Sequence, residues 1–565
     1  MKYLLVVILS VMLITVTLAQ VDTSWTRRWT SATVNGGDYI YGLAVDNDGN
    51  VIVTGGSDYL GTSPELLTIK YNASGDTVWT RVPTRAGSQR ASAVAVGATG
   101  NVYITGYTME NGSGDYITIK YRPNGAEAWV RIYNHVTGYD FARKLVLDAQ
   151  ENVYITGYAQ TTGSKNVDVT VKYDSSGTQL WARQDSFGGV TSIGYPTDLG
   201  IDNSGNPYIV ARSRNSSGNY DYVVAKYNPA SGDTFWSRTY NGVGNYNDEA
   251  RAIAFDASNN VYITGMSAST NTGNYDYNIA TIKYNSLGDT QWVRTYNNPD
   301  TVATDAGYWI KVDNVGNVYV YGSSVGTRAS GHYQDLVLIK YNASGNEQWV
   351  SRYNGPAGDH YDTPIDKDGQ NGMAVDLSGN IYLTGYTRQL EGPGTQSTEN
   401  DFITIKFNPA GDTQWTARYN YADSFETAYA MDIDNTGNVY VTGRSAAPVS
   451  YYDVATIKYH QAQGIEQSNE NRKLRIENLS VSPNPFRTNP TIHYSLSTYS
   501  HISLSVYDIS GKLVKTLINE SKPKGSYNAI WDRRNRESQR VSQGIYFFVL
   551  KTNSNTQQKK VSLFD

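Results

Sequence analysis

Cysteine is absent from all 565 residues. That excludes disulfides, thiolate zinc sites, thiol nucleophiles and a lipidated N-terminal cysteine. Histidine occurs six times, at 135, 332, 360, 460, 493 and 501, without metal-ligand spacing. No H-E-x-x-H, G-x-S-x-G or P-loop pattern is present, so the common hydrolase and nucleotide-binding signatures are missing. Paired carboxylates could still meet across a fold, which leaves glycoside cleavage open. Charge is sparse, at 18%, and 47 basic against 52 acidic residues give a net charge of −5. Nucleic acid is therefore not an expected partner, because its binding needs clustered Lys and Arg. After the N-terminus no apolar run could cross a bilayer. What is abundant is glycine, 52 residues, and tyrosine, 47, with much Thr and Asn. This is the composition of turns and strands, not of helices.

The first 19 residues read as a secretory signal: Lys2, an apolar core over 4–18, and Thr17-Leu18-Ala19 as a small-x-small cleavage motif. An uncleaved anchor is the other reading.

From there to residue 460 the chain repeats. A D-x-x-G-N turn or a variant starts at Asp46, Gly97, Asp148, Asp202, Asp256, Asp313, Asp376 and Asp434. An I-K-Y run places a lysine at 70, 120, 172, 226, 283, 340, 406 and 458. Each turn is preceded and followed by a short apolar-alternating run, and two more complete each unit. Four short strands per unit of 51 to 63 residues is the pattern of a β-propeller blade. A W-x-R run, or a variant one residue longer, occurs at Trp79, Trp129, Trp181, Trp236, Trp292, Trp349 and Trp415. The eighth copy stands at the other end, as Trp25-Thr26-Arg27. The expected fold is all-β: an eight-bladed β-propeller over 21–460, with seven blades if one repeat is irregular, closed by an N-terminal strand. Closure removes the edges that an open array would expose. An open solenoid is the runner-up, and the displaced W-x-R run weighs against it.

The pattern D-x-x-G-N-V-Y-I-T-G-Y, D-Y-I-T-I-K-Y-N, G-D-T-x-W-x-R resembles the bacterial SBBP β-propeller repeat family. That resemblance implies a repeat architecture and no particular chemistry. Eight units with a Trp near each end also resemble quinoprotein dehydrogenases, but there is no Cys pair and no recognisable quinone-site acid, so no cofactor is expected.

Residues shared by all units are expected to build the units. The Trp should pack between blades. The Lys should lay its stem along that layer and offer its charge to a carbonyl or carboxylate. The Asp of the turn could be a calcium ligand, but the turn runs straight into a strand and most copies hold one carboxylate. The plainer reading is an Asp that accepts hydrogen bonds from its own turn. Function should then sit on the face where connections vary in length. The loops flanking the seventh unit, 353–372 and 387–400, vary most. Asp359, His360, Tyr361, Asp362, Asp366 and Asp368 are the candidate binding residues, able to meet a cation or a sugar. Tyr139, Tyr195, Tyr246, Tyr275 and Tyr333 could stack on sugar or peptide.

Residues 461–478 read as a polar linker. Over 479–565 short alternating strands predict a small β-sandwich. Pro483-Asn484-Pro485-Phe486, Val506-Tyr507-Asp508-x-x-Gly511, Trp531-Asp532, Gly544-Ile545-Tyr546 and the final 560–564 resemble the C-terminal sorting domain of the type IX secretion system. They are also similar to the immunoglobulin-like domain of the flagellar hook-cap protein. The sorting resemblance implies export through outer-membrane type IX machinery to the surface of a Gram-negative bacterium. The expected function is a monomeric, non-catalytic scaffold binding a glycan, a peptide or a surface protein. The alternative is a secreted carbohydrate-active hydrolase or lyase on the same face.

Overall fold

The computed structural model describes residues 21–564 apart from 32–36, 59–63, 111, 136–137, 162–164, 188–194, 271–275, 299–303, 329–330, 356–362, 365–369, 393–394, 422–424, 448–449, 462–475, 485, 497–499, 510–511, 523–524 and 553–555. The described residues form strands and turns and no helix. The chain divides into two compact units, Met1–Ala462 and Gln463–Asp565.

In the first unit each repeat folds as one antiparallel sheet. The second sheet shows the rule: Gln89–Val96, Val102–Thr108, Asp115–Tyr121 and Glu127–Tyr133 pair in chain order. The last sheet is the exception in connectivity. Glu426–Ile433, Val439–Ala447 and Ser450–His460 are followed by the N-terminal strand Asp22–Trp29. Trp25 lies opposite Lys458 and Trp29 opposite Val454. The first strands of successive sheets neighbour one another, and that of the last sheet, Glu426–Ile433, neighbours that of the first, Asp38–Val45.

The W-x-R run is a clip onto the next sheet. Trp79 donates its indole N–H to the Pro123 carbonyl at 3.0 Å, and Arg81 Nε donates to the Gly125 carbonyl at 2.6 Å. Both acceptors lie in the turn between the third and fourth strands of the following sheet. Trp25 and Arg27 make the same bonds to Ala73 and Gly75, at 3.1 and 2.5 Å, across 48 residues. A Cβ on Gly75 would sit 2.7 Å from the Trp25 ring, and φ there is +85°, so the stacked indole and the turn both demand glycine. Six of the eight I-K-Y lysines reach the same turns, as Lys458 Nζ donates to Ala73 O at 3.0 Å and Lys172 Nζ to Pro229 O at 2.7 Å, whereas Lys70 donates to Asp46 at 3.0 Å and Lys406 to Gln461. Lys120 also lies over the Tyr103 ring, its Nζ 5.0 Å from the centroid, where the ring quadrupole attracts it. These lysines do not pair with the acids five positions earlier. Two of those, Asp335 and Asp453, instead take Arg352 at 2.9 Å and Arg28 at 2.8 Å.

The D-x-x-G-N turn is tied by its own carboxylate. Asp376 accepts from Ser378 N and Asn380 N, both at 2.9 Å, from the Asn380 side chain at 2.8 Å and from Tyr382 OH at 2.9 Å. One unit lacks this Asp, with Gly97 in its place. There Glu151, from the next unit's turn, supplies the carboxylate. It accepts from Thr99 N at 2.9 Å, Thr99 Oγ1 at 2.6 Å, Asn101 Nδ2 at 3.2 Å and Tyr103 OH at 2.8 Å. A Cβ on residue 97 would lie 2.3 Å from Glu151 Cδ. The two departures from the repeat therefore compensate each other.

The segment 387–400, expected to be a loop, instead prolongs two strands, Ile381–Gly392 and Thr395–Phe407, with Arg388 opposite Asn400 and Gly392 opposite Thr395.

The second unit is two sheets. One is Ile476–Ser482, Thr491–Leu496 and Gly525–Ile530; the other is Leu513–Lys522, Ser500–Asp508, Gly544–Thr552 and Thr556–Leu563. Ile502, Leu504 and Val506 alternate into its core around fully buried Trp531. Trp531 packs on Phe486, Tyr546 and Phe548 with ring centroids 6.2, 5.1 and 5.7 Å away. Phe486, Val506, Trp531 and Tyr546 of the tail's motifs are thus part of its packing.

Candidate functional site

The first strand of each sheet carries a register break. In the second sheet Ala91 pairs with Gly106 and Ala93 with Thr105, so Ser92 is extruded as a bulge. The same break extrudes Tyr41, Arg143, Thr197, Arg251, Tyr308 and Tyr429 in six other sheets. In the seventh sheet Pro364 pairs with Gly385, Thr384 N donates to Gly372 O and Met373 pairs with Leu383, so the first strand is interrupted between Pro364 and Gly372, at the level of the bulge. Bulges re-aim side chains and recur beside binding sites.

The break has a sequence signature. At Gly106, the glycine of I-T-G-Y, a Cβ would lie 1.9 Å from the Arg90 carbonyl oxygen. Only glycine admits the bulged strand at that distance. The fourth sheet departs from the pattern, with Ala211 opposite Pro196.

Two residues before each break, cross-strand pairs flank the bulge: Arg90 with Tyr107, Phe141 with Tyr158, Tyr195 with Arg212, Glu249 with Met266, and Thr427 with Arg444. With the bulge residues they form a belt rich in Arg and Tyr. Arg143 hydrogen-bonds Tyr195 OH and its guanidinium lies 4.4 Å from that ring's centroid. Arg212 lies 4.9 Å from the same ring, and Arg251 4.3 Å from Tyr308. Tyr41 and Tyr429 meet edge to face at 5.5 Å. Glu249 is the belt's acid, shared by Arg212 at 3.5 Å and Arg251 at 3.7 Å. On a chain of negative net charge this belt is cationic.

Below the bulges, alternate residues of the first strands enclose a cavity of about 410 Å³. Its lining is mostly aliphatic, with alanines such as Ala44, Ala93 and Ala252, and includes Lys144, Asp198, Trp309, Lys311 and Asp432. Asp198 accepts from Ile253 N at 3.0 Å and Leu199 N at 2.9 Å. Burial pushes its carboxyl up, and Lys144 and Lys311 pull it back down. Burial raises Asp432 to about 6, opposed by bonds from Ile433 N and Val45 N and by Lys311. Gln370 and Asn371 reach this cavity from the seventh sheet's insertion. Gln370 N donates to Tyr41 O at 3.1 Å, Val94 N donates to Gln370 Oε1 at 3.2 Å, and Met431 N donates to Asn371 O at 2.8 Å. This cluster binds sheets to one another, and its acids are satisfied by amides.

Asp359, His360, Tyr361, Asp362, Asp366 and Asp368 lie outside the described residues. The described part of the same loop, Gln370–Asn371, is structural. Of the suggested tyrosines, Tyr195 belongs to the belt and Tyr139 stacks on Phe141 at 6.3 Å. Among the described residues no group of His, Cys, Asp and Glu could hold a metal ion. Sequence reading missed the belt because it takes one to three residues from each of several units about fifty residues apart. The glycine of I-T-G-Y was the available signal.

Residues 480–563 match the secretion system C-terminal sorting domain, and 370–389 match the SBBP β-propeller repeat. An uncharacterized WD repeat-containing protein of Acanthamoeba polyphaga mimivirus is 21% identical over 538 residues, 82% of this chain and 33% of the relative. The chain thus spans about a third of that relative's length. Among solved structures, the quinohemoprotein alcohol dehydrogenase of Comamonas testosteroni is similar with a TM-score of 0.47 and 12% identity, over 80% of this chain and 78% of that one. PorZ of Porphyromonas gingivalis, an essential bacterial surface component of the type IX secretion system, is similar with a TM-score of 0.33 and 12% identity, over 94% and 74%. Residues 480–563 are thus a type IX secretion sorting domain and 370–389 an SBBP β-propeller repeat, and the sorting domain marks the chain as secreted or held at the cell surface.

Proposed function

We propose that the first unit is an eight-bladed ring, closed by Asp22–Trp29, that acts outside the cell as a non-catalytic binding scaffold. The pairing of Asp22–Trp29 with Ser450–His460 and the Trp25 clip on Ala73 support closure. The second unit directs the chain to the type IX machinery and leaves the ring displayed as a monomer. The observation that carries the binding reading is the belt: one position, repeated around a uniform scaffold, filled by different Arg, Tyr and Ser side chains, with Thr197 of the fourth sheet alone among them buried. Uniform turns with one variable ring of side chains is the arrangement of a recognition surface.

Binding of the full mature chain to a printed array of plant and bacterial polysaccharides, followed by reducing-end and unsaturated-product assays, tests this reading. Retention without turnover is expected. Processing of a bound polysaccharide would replace the scaffold by a hydrolase or lyase.

A further inference from the structure

One part of the belt is a pocket. Between the second and third sheets Tyr41, Arg90, Ser92, Tyr107, Phe141, Arg143, Lys144 and Tyr158 line a hollow of about 200 Å³. Its aromatic wall is continuous: Tyr107 meets Phe141 at 4.8 Å, Phe141 meets Tyr158 at 5.4 Å, and Tyr158 stacks on Tyr195 at 5.3 Å. Two guanidiniums, of Arg90 and Arg143, line it, while Lys144 turns its Nζ toward Trp309, 5.4 Å from that ring's centroid, and no carboxylate is among the lining residues. Arg90 lies 5.1 Å from the Tyr39 ring centroid, and the described residues give it no carboxylate partner. The floor is closed by Ser92 Oγ, which donates to the Ala142 carbonyl at 2.5 Å.

From this the geometry points to a site for an acidic sugar residue of a polysaccharide, its ring stacked on the Tyr107–Phe141–Tyr158 wall and its carboxylate or sulfate held by Arg90 and Arg143. This inference rests on the binding reading above and names its ligand class. Flat aromatic faces suit the apolar face of a pyranose, and the guanidinium fork suits a planar or tetrahedral oxyanion. The hollow is smaller than the roughly 300–1,000 Å³ of drug-sized pockets, which fits a single sugar unit of a longer chain. A peptide strand is a poorer match, because strand addition reads an open sheet edge and this pocket is lined by side chains.

The test measures affinity of the full mature chain by calorimetry for oligogalacturonate, dextran sulfate and neutral dextran. Binding of either acidic probe is expected, with the preferred one showing whether carboxylate or sulfate is recognised. Arg90→Gln and Arg143→Gln should each weaken that probe about tenfold or more. Arg90→Lys, which keeps the charge and loses the fork, should weaken it less and shows that loss is not misfolding. Arg122→Gln, on an exposed turn of the opposite face, should change nothing. Equal binding of neutral dextran, insensitive to Arg90→Gln, would overturn the acidic-sugar site while leaving a binding scaffold. An equal loss in Arg122→Gln would mean diffuse polyanion attraction and would also overturn it. If no saccharide binds, the inference falls, and the scaffold reading must then be carried by a protein ligand.

Discussion

Exchanging the compensating pair Gly97 and Glu151 gives a sharp test of how the repeats are held. Glu151 is 8% exposed and accepts four hydrogen bonds from the preceding unit's turn. One of the donors, Tyr103 OH, belongs to a residue with no exposed surface. In Glu151→Ala that hydroxyl loses its carboxylate acceptor, at roughly 1–3 kcal/mol, and the turn amide loses a charged acceptor. The titration gives an independent figure. Burial raises the Glu151 carboxyl, but the bonds from Thr99, Tyr103 and Asn101 outweigh it and hold it at about 2 against an ordinary 4.5. That shift corresponds to about 3 kcal/mol. Because the pKa is depressed, this stability is present above pH 4.5 and is lost as pH falls through about 2.

Glu151→Ala should therefore cost about 3 kcal/mol at pH 7 and progressively less in acid. Glu151→Gly should cost about 1 kcal/mol less than Glu151→Ala, since residue 151 holds φ of +59°, which glycine adopts without strain. Gly97→Asp alone should cost about 3 kcal/mol or more, because its Cβ falls 2.3 Å from Glu151 Cδ and sets two carboxylates together. The double variant Gly97→Asp with Glu151→Gly rebuilds the common D-x-x-G-N turn. Its urea midpoint should return to that of the parent or above. A double variant as unstable as the sum of its singles would refute the compensation. So would a Glu151→Ala loss that does not shrink between pH 4.5 and 2.

Trp25→Ala removes a buried indole set between Tyr71 and Tyr440, at about 3–5 kcal/mol. It should also raise hydrogen exchange across Ser450–His460, whereas Trp79→Ala, making the equivalent contacts within a continuous chain, should leave that strand protected. Equal protection in both variants would count against a closing role for Asp22–Trp29. Glu426 is raised to about 8, chiefly by burial and next by Asp401, against bonds from Ser445 and the charge of Arg28. A raised carboxyl favours the folded state below pH 4.5 and loses that advantage as pH climbs through 8. Glu426→Gln should thus gain about 4 kcal/mol relative to the parent on going from pH 4.5 to 8, read by urea unfolding at both values. Deleting residues 479–565 should leave the propeller folded but retained in the periplasm, and undiminished surface display would remove the sorting role.

Local periodicity, which a sequence carries openly, accounts for most of what could be anticipated. The eight turns, the I-K-Y lysines and the displaced Trp25-Thr26-Arg27 all follow from counting, because each is one short segment doing the same job in every unit. Lys458 and Trp25 reach the same carbonyl, Ala73, as their counterparts reach theirs, so the structure extends the count across the chain ends. What counting could not reach is anything built between units. The partnership of Gly97 with Glu151 reads in sequence as two weak copies of a turn, and becomes one sound turn only when the strands bring position 151 to position 97. The belt is hidden for the same reason: Arg90, Tyr107, Phe141, Arg143 and Tyr158 form no motif, whereas the longest loops stand out in the sequence. The glycine of I-T-G-Y marks the belt indirectly. It tolerates no Cβ because a bulged strand presses on it, and that bulge turns out the side chains that differ from sheet to sheet. In this chain the I-T-G-Y glycine, present in every unit but the fourth, locates the variable bulge residues, so the uniform part of the sequence points to the belt on which the proposed recognition rests.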